Sequence, residues 1–276
     1  MSRIGARFTE LRAAGKTAFV PFITAGDPDF ETSLAILEKL PAAGADVIEL
    51  GMPISDPMAD GPAVQAASLR ALKAGANMSR TLDLVKKFRK TDNKTPIVLM
   101  GYFNPIHAYG TARFTRDAAA AGADGLIVVD LPPEEDDVLR LPAEAQGLDI
   151  IRLATPTSDE ARLVKILAGA KGFLYYVSIA GVTGTKDFDV SAVRSALTRI
   201  RKATTLPVAV GFGVKTPEHA RDIAGIADAV EVGSAIVGHI AQKMAAPRAE
   251  LVQSVLELCQ SLAASTHAAQ SDKVGA

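Results

Sequence analysis

Glu49 is the first candidate for chemistry, because it stands inside a short apolar run, Val47–Leu50. A carboxylate embedded in an apolar strand is costly unless it is paired or functional. Desolvation should raise its pKa, which suits proton transfer near neutral pH. Two interpretations stay open: Glu49 is an acid/base, or it has a structural Arg or Lys partner.

Two other acids occupy similar places. Asp130 directly follows a pair of valines, and Glu231 lies between two valines. Acids at strand ends also orient loops by accepting backbone N–H bonds, so both are competing candidates with a structural alternative.

The segment 51–62 is long and rich in proline for a connection between a strand and a helix. Long ordered loops are usually functional. Asp60, near its end, could accept a hydrogen bond from a ligand N–H. The alternative is that Asp60 caps a helix beginning near Pro62.

Glycine-rich turns predict a phosphate site. They occupy 181–185, 211–213 and 233–234. Barrels often bind phosphate with the loops after strands seven and eight, through backbone N–H groups and a helix N-terminus. Ser234 can add a hydroxyl, and the polar, glycine-rich stretch 179–187 is expected to form a mobile lid.

Aromatic residues are scarce, at 5%, but four of them fall at strand ends or just beyond. Core packing would explain any one of them, whereas together they could wall a flat apolar ligand. They are Phe22, Tyr102, Tyr175 and Phe212.

The elements that must position these residues are eight short apolar runs alternating with amphipathic segments. This pattern predicts an α/β fold with an all-parallel sheet, and its length favours a single (β/α)8 TIM barrel over an open sheet. The runs are Phe19–Ile23, Val47–Leu50, Ile97–Met100, Leu126–Val129, Ile150–Leu153, Phe173–Val177, Val208–Val210 and Ala229–Val232; helical segments include Glu31–Pro41, Arg113–Ala121, Asp159–Leu167 and Ala192–Lys202.

Similar joints precede four of the runs, each with an Ala-Gly pair. Glycine just past a helix end is a common left-handed stop, so a repeated joint is typical of a barrel built from similar units. Chance pairing in an alanine-rich chain is the alternative. The glycines are Gly44, Gly122, Gly169 and Gly225.

The ends of the chain carry two further expectations. Ile4, Phe8 and Leu11 share one helical face, which predicts an additional N-terminal helix covering the barrel bottom. In the absence of a Pro/Ser-rich linker, we expect one domain over residues 1–276, with a frayed tail after about Ser265.

The amino-acid composition argues against several classes of protein. The net charge is −1, which gives no bulk attraction to nucleic acid or anionic membranes. A single cysteine, Cys259, excludes an internal disulfide framework and indicates a buried thiol in a reducing compartment. No His or Cys cluster has metal-ligand spacing, and no signal-peptide core or stretch of about 20 apolar residues occurs, so we expect a cytoplasmic protein.

The sequence resembles the tryptophan synthase α-subunit family from Phe19 to about Val237. The acidic segment after the second run is specific to that family, whereas the glycine turns alone are not. The similar segments are Ile48–Pro53, Ser55–Pro62, Pro21–Pro28, Met100–Pro105, Asp130–Glu135, Gly181–Gly184, Gly211–Val214 and Gly233–Val237. The chain departs from the family at Ile54, where Phe is common, and at Ile179, a lid position that is often polar or basic.

The resemblance implies a lyase of tryptophan biosynthesis, which cleaves indole-3-glycerol phosphate to indole and glyceraldehyde 3-phosphate by a retro-aldol-like route. Glu49 would be the acid/base, and Asp60 would bind the indole N–H. Thr183 would meet Asp60 when the lid closes. The four strand-end aromatic residues would contact the indole or shape its pocket. The phosphate would be held by Gly184, Gly213, Gly233 and Ser234.

The resemblance also implies a partner, a β-subunit that carries pyridoxal phosphate, in an α2β2 heterotetramer. This chain would need no cofactor or metal itself, because indole can accept a proton at C3. The contact surface would include Pro53–Pro57 and the segment around Asn104 and Pro105.

Three alternatives remain. One is a stand-alone lyase acting on the same substrate, and another is a different phosphate-binding barrel, an isomerase or aldolase. The third is a regulatory subunit with negligible chemistry of its own.

Overall fold

The computed structural model describes residues 2–178, 189–211 and 213–269, which form nine strands and twelve helices. The strands are β1 (Ala18–Thr24), β2 (Ile48–Gly51), β3 (Ile97–Gly101), β4 (Gly125–Val128), β5 (Asp149–Ile150), β6 (Arg152–Ala154), β7 (Leu174–Val177), β8 (Val208–Gly211) and β9 (Ala229–Val232). The helices are α1 (Arg3–Ala13), α2 (Phe30–Lys39), α3 (Pro62–Lys73), α4 (Met78–Phe88), α5 (Phe103–Tyr109), α6 (Thr111–Ala121), α7 (Asp137–Ala145), α8 (Glu160–Leu167), α9 (Val190–Ala203), α10 (Pro217–Ala224), α11 (Ser234–Lys243) and α12 (Arg248–His267).

The strands form one parallel sheet in the order β5-β4-β3-β2-β1-β9-β8-β7-β6. Its two edges, β5 and β6, are separated in the chain only by Ile151, whose N–H donates to the Leu126 carbonyl at 3.0 Å. The chain therefore passes directly from one edge to the other and closes the sheet. The predicted TIM barrel is confirmed, except that the run Ile150–Leu153 forms two short strands instead of one.

Alternation along the strands decides which side chains face the barrel interior. Val47 and Ala229 belong to a buried cluster inside the barrel, together with Tyr175. Successive strand side chains point to opposite faces, so Glu49 and Glu231, two residues further along β2 and β9, face the same interior. A larger cluster fills the layer between the sheet and the helices.

The predicted N-terminal helix is present as α1. Ile4, Phe8 and Leu11 are its buried residues, and they belong to the interior cluster. The Phe8 ring lies 5.6 Å from the ring of Phe173. Helix α1 therefore covers the end of the barrel away from the carboxyl ends of the strands.

The connections depart from one helix per strand in several places. Strands β2, β3 and β9 are each followed by two helices (α3 with α4, α5 with α6, and α11 with α12), and no helix stands between β5 and β6. At the C-terminal end, α12 continues to His267, whose Nε2 lies 2.7 Å from the Asp46 carboxylate. Thr266 is fully buried, so the ordered helix passes the predicted start of the tail at Ser265.

Three of the four repeated glycines adopt the expected left-handed backbone. Gly44, Gly122 and Gly169 have φ of 99°, 103° and 74°. Gly225 instead caps α10 with φ of −65°, so the prediction of a left-handed stop is wrong there.

Replacing Phe8 with alanine should lower the free energy of unfolding by about 3 kcal/mol, because it removes a buried ring from the barrel bottom. Urea unfolding followed by circular dichroism measures this. Thr9→Ala, on the exposed side of α1, is the control and should change stability little. Equal midpoints for the two variants would show that α1 does not cover the core.

Candidate active site

Glu49 lies on β2 in the barrel interior and is only 2% exposed. Among the described residues its Oε1 has no hydrogen-bond partner, and it forms no ion pair with an Arg or Lys. Burial, followed by the nearby charges of Glu231 and Asp60, holds the pKa of Glu49 well above its usual value. The structural interpretation, a cationic partner, thus finds no support in the described part of the chain.

Glu231 is a second buried carboxylate, on β9. Its Oε2 accepts a hydrogen bond from the Tyr175 hydroxyl at 2.6 Å. Burial and the charge of Asp60 raise the pKa of Glu231 to about 7, although the Tyr175 bond opposes that rise. The pKa of Tyr175 is raised well above its usual value, first by burial and then by the acids. Its hydroxyl therefore remains a donor.

Asp130 has a different environment. Its Oδ1 accepts the backbone N–H of Phe103 at 2.7 Å, at the start of α5. This is the loop-orienting role expected of a strand-end acid.

The long connection after β2 extends over residues 52–61, as predicted, and is held by side chains outside it. The Tyr102 hydroxyl accepts the N–H of Ala59 at 3.0 Å. Ser68 binds Ile54 twice, accepting from its N–H at 2.8 Å and donating to its carbonyl at 2.9 Å. These backbone bonds do not depend on the side chain at position 54.

Asp60 is half-buried near the end of this connection. Burial raises its pKa, and a hydrogen bond from Tyr102 partly offsets that effect. Gly61, not Asp60, is the N-cap of α3, and no side chain caps that helix. The capping alternative for Asp60 is therefore wrong, and its carboxylate faces the site.

A small cavity opens beside Asp60. Thr24, the last residue of β1, is 2% exposed, and its Oγ1 has no hydrogen-bond partner among the described residues. The sequence reasoning missed Thr24, because it took the first apolar run to end at Ile23. The cavity lining also includes Phe22, Met52, Met100 and Tyr102.

The predicted aromatic residues that the structure describes lie around the same space. Phe22, Tyr102 and Tyr175 are all buried. The Phe22 ring fills the space above two glycines: a Cβ on Gly51 would be 2.6 Å from it, and one on Gly233 would be 3.3 Å from it. Phe212 lies outside the described residues.

Two of the predicted phosphate turns lie side by side, because β8 and β9 are neighbours. Gly213 has φ of 84°, a conformation that favours glycine. Gly233 is the N-cap of α11, which begins at Ser234 without a side-chain cap. An uncapped helix N-terminus is a favourable place for an anion. The third turn, with Thr183, Gly184 and the lid position Ile179, lies outside the described residues.

Known proteins with similar sequences share this architecture. A family model described as Tryptophan synthase alpha chain matches residues 8–267. A tryptophan synthase alpha chain structure from Legionella pneumophila subsp. pneumophila is 39% identical, with a TM-score of 0.88 over 96% of this chain and 97% of that one. An aminoacrylate-bound tryptophan synthase structure from M. tuberculosis is 34% identical, with a TM-score of 0.86 over 97% of this chain and 100% of that one.

The chain belongs to the tryptophan synthase alpha chain family. It is accordingly a lyase of tryptophan biosynthesis that cleaves indole-3-glycerol phosphate. Membership implies a β-subunit partner. An unrelated isomerase or aldolase is thereby ruled out.

Two negative findings concern the described residues alone. They contain no helix that is both long and apolar enough to cross a bilayer. They also contain no group of three His, Cys, Asp or Glu side chains arranged to hold a metal ion.

The structure adds an ion pair between a partly buried arginine and a buried aspartate, which sequence reasoning did not find in this member of the alpha chain family. Arg70 on α3 donates to both carboxylate oxygens of Asp27 at 2.8 Å. The same guanidinium lies 3.4 Å from the Val237 carbonyl on α11. Arg70 thus joins the turn after β1, the helix after the Asp60 loop and the helix beside the phosphate turns.

Arg70→Lys should lower the free energy of unfolding by about 2 kcal/mol, because a single ammonium cannot make both bonds to a buried carboxylate. Urea unfolding at neutral pH measures the loss. Arg113→Lys, whose ion pair with Asp117 is largely exposed, is the matched control. If both variants unfold at the wild-type midpoint, Arg70 does not hold these elements together.

Proposed function

We propose that Glu49 is the acid/base of indole-3-glycerol phosphate cleavage. The observation that carries this proposal is a carboxyl group 2% exposed, with an unpaired Oε1, in the barrel interior. Burial raises the pKa of Glu49 well above its usual value and so favours the protonated form, and in this proposal Glu49 begins the reaction as an acid. A group of this kind can both give and take a proton.

In the proposed reaction Glu49 donates one proton and later takes one back. Glu49 donates it to indole C3, and the ring takes up positive charge. The ionised Glu49 then removes the proton of the glycerol hydroxyl adjacent to the ring. The C–C bond breaks as the carbonyl of glyceraldehyde 3-phosphate forms, and the electron pair returns to the ring to give indole. Glu49 ends the cycle protonated.

Asp60 has the complementary role in this proposal. Its carboxylate accepts the indole N–H and stabilises the positive charge that develops on the ring. This role requires the ionised form. The hydrogen bond from Tyr102 favours that form against the effect of burial.

We assign residues to the phosphate and indole parts of the substrate from their positions around the barrel mouth. The turns containing Gly213, Gly233 and Ser234 would hold the phosphate at the N-terminus of α11. Phe22, Tyr102 and Tyr175 would line the indole side, together with Phe212. Gly184 and Thr183 keep the phosphate and lid roles that the family resemblance implies.

We infer that this chain assembles with the β-subunit into an α2β2 heterotetramer in the cytoplasm. In this assembly the β-subunit holds pyridoxal phosphate. This chain forms one domain over residues 1–276 and uses no cofactor. Met58, in the connection after β2, is 76% exposed and adjoins Pro53–Pro57. Met58 thus extends the proline-rich segment that the family resemblance assigns to the β-subunit contact.

Glu49→Gln should abolish indole release, because the amide cannot donate and take back the proton. The wild-type protein should be strongly activated by a cognate β-subunit. Indole is measured from purified protein with and without that subunit. Asp130→Asn, which still accepts the Phe103 N–H, is the control and should retain activity. An active Glu49→Gln would remove Glu49 from the mechanism; fast wild-type cleavage without β-subunit would indicate a stand-alone lyase.

Tyr102→Phe should lower kcat/KM about tenfold, the equivalent of about 1.4 kcal/mol. The change leaves the Ala59 N–H without its acceptor and raises the pKa of Asp60, so activity should be lost at a higher pH on acidification. The measurement is kcat/KM against pH. Tyr109→Phe, which loses a hydroxyl bond to Asp117, is the matched control. An unchanged profile would show that Tyr102 does not act on Asp60.

A further inference from the structure

Glu231 is the buried acid that the proposed reaction does not use. It lies on β9, 6% exposed, in the same barrel interior as Glu49. Two carboxylates in a dry interior resist ionising together, because each charge opposes the other. A neutral side chain at position 231 would avoid this charge repulsion, so a charged residue there indicates a role for the charge.

Hydrogen bonding distinguishes the two carboxyl groups. Glu231 accepts a bond from the Tyr175 hydroxyl at 2.6 Å, whereas Glu49 Oε1 accepts none from the described residues. A hydrogen bond donated to a carboxylate favours its charged form. When the pair holds one proton, Glu231 therefore carries the negative charge and Glu49 carries the proton.

The backbone of β8 leaves space for the hydrogen bond between Tyr175 and Glu231. A Cβ on Gly211 would stand 2.3 Å from both the Glu231 Oε2 and the Tyr175 hydroxyl oxygen. Only glycine leaves room for the two groups to meet over β8. A larger side chain at position 211 would therefore disrupt the bond between Tyr175 and Glu231.

The titratable groups that act on Glu231 come from three other elements at the barrel mouth. Glu49 stands on β2, Tyr175 on β7, and Asp60 on the connection after β2. β1 presents the uncharged Phe22 and β8 presents Gly211. No Arg, Lys or His of the described part forms an ion pair with any of the three acids, so their charges are not neutralised there.

We propose that Glu231 is a positioning residue for the proton of Glu49: held anionic by Tyr175, it keeps that proton on Glu49 at pH values where a lone buried glutamate would have lost it. This inference rests on the proposed role of Glu49 as the first acid. Glu231 itself touches no reacting atom. Its effect is to extend the active range of the enzyme towards alkaline pH.

The sign follows from the two charge states. Above about pH 7, Glu231 is ionised and opposes ionisation of Glu49. Removing the negative charge lets Glu49 lose its proton at lower pH. The alkaline limb of kcat/KM, which reports groups of the free enzyme, should therefore move to lower pH in Glu231→Gln.

The test compares Glu231→Gln, which loses the charge but can accept the Tyr175 bond, with Glu231→Asp, which keeps the charge. Glu231→Gln should move the alkaline limb down by about one pH unit, a tenfold loss of kcat/KM on that limb, with wild-type activity below it. Glu231→Asp should keep the limb near its wild-type position. A packing role predicts the reverse order, with Asp harmful and Gln mild at all pH values, and would overturn the proposal.

A second readout needs no substrate. Carbon-13 NMR of protein labelled at the glutamate carboxyl carbons follows the proton on Glu49 directly, with Glu49→Gln assigning the signal. Its titration should move to lower pH in Glu231→Gln, and an unmoved titration would overturn the inference. If Glu49→Gln remains active, the proposed function fails; a dead Glu49→Gln with an unmoved titration defeats only the role of Glu231.

Discussion

The burial of carboxyl groups in the barrel interior is the constraint on which the proposed chemistry of this chain depends. Glu49 and Glu231 occupy a space where a charge is poorly solvated and like charges oppose each other strongly. The described residues provide no Arg or Lys ion pair for either acid. Burial therefore raises the pKa of both acids, and the proposed proton transfer to indole C3 relies on such an acid.

Closure of the sheet creates that interior. Ile151 joins β5 to β6, so the two sheet edges meet through one residue of the chain. The period of two along each strand then sends Glu49, Tyr175 and Glu231 inward from three separate strands. Helix α1 covers the opposite end. The same closure that buries the apolar cluster thus desolvates the acids, and stability and reactivity have a common cause.

Much of this arrangement could be predicted from the sequence, because the apolar runs and their alternation determine strand positions. The sequence identifies Glu49 as an acid in an apolar strand and predicts glycine turns after two neighbouring strands, β8 and β9. Period alone could not show that Ile150–Leu153 divides into two strands, since that depends on pairing with two different neighbours. Nor could it show that Tyr175 binds Glu231, because 56 residues separate them in the chain.

The position of Asp60 shows a second limit of sequence reasoning and its physical reason. An aspartate before Gly-Pro is compatible with helix capping, and only the three-dimensional contacts decide otherwise. Tyr102 and Ser68 hold the connection from outside, through backbone groups that any sequence could offer. A loop anchored in this way needs no particular side chain at Ile54 to keep its backbone in place. The departure from the common Phe at that position therefore need not displace Asp60, because the loop backbone, more than its apolar packing, places this carboxylate beside the cavity.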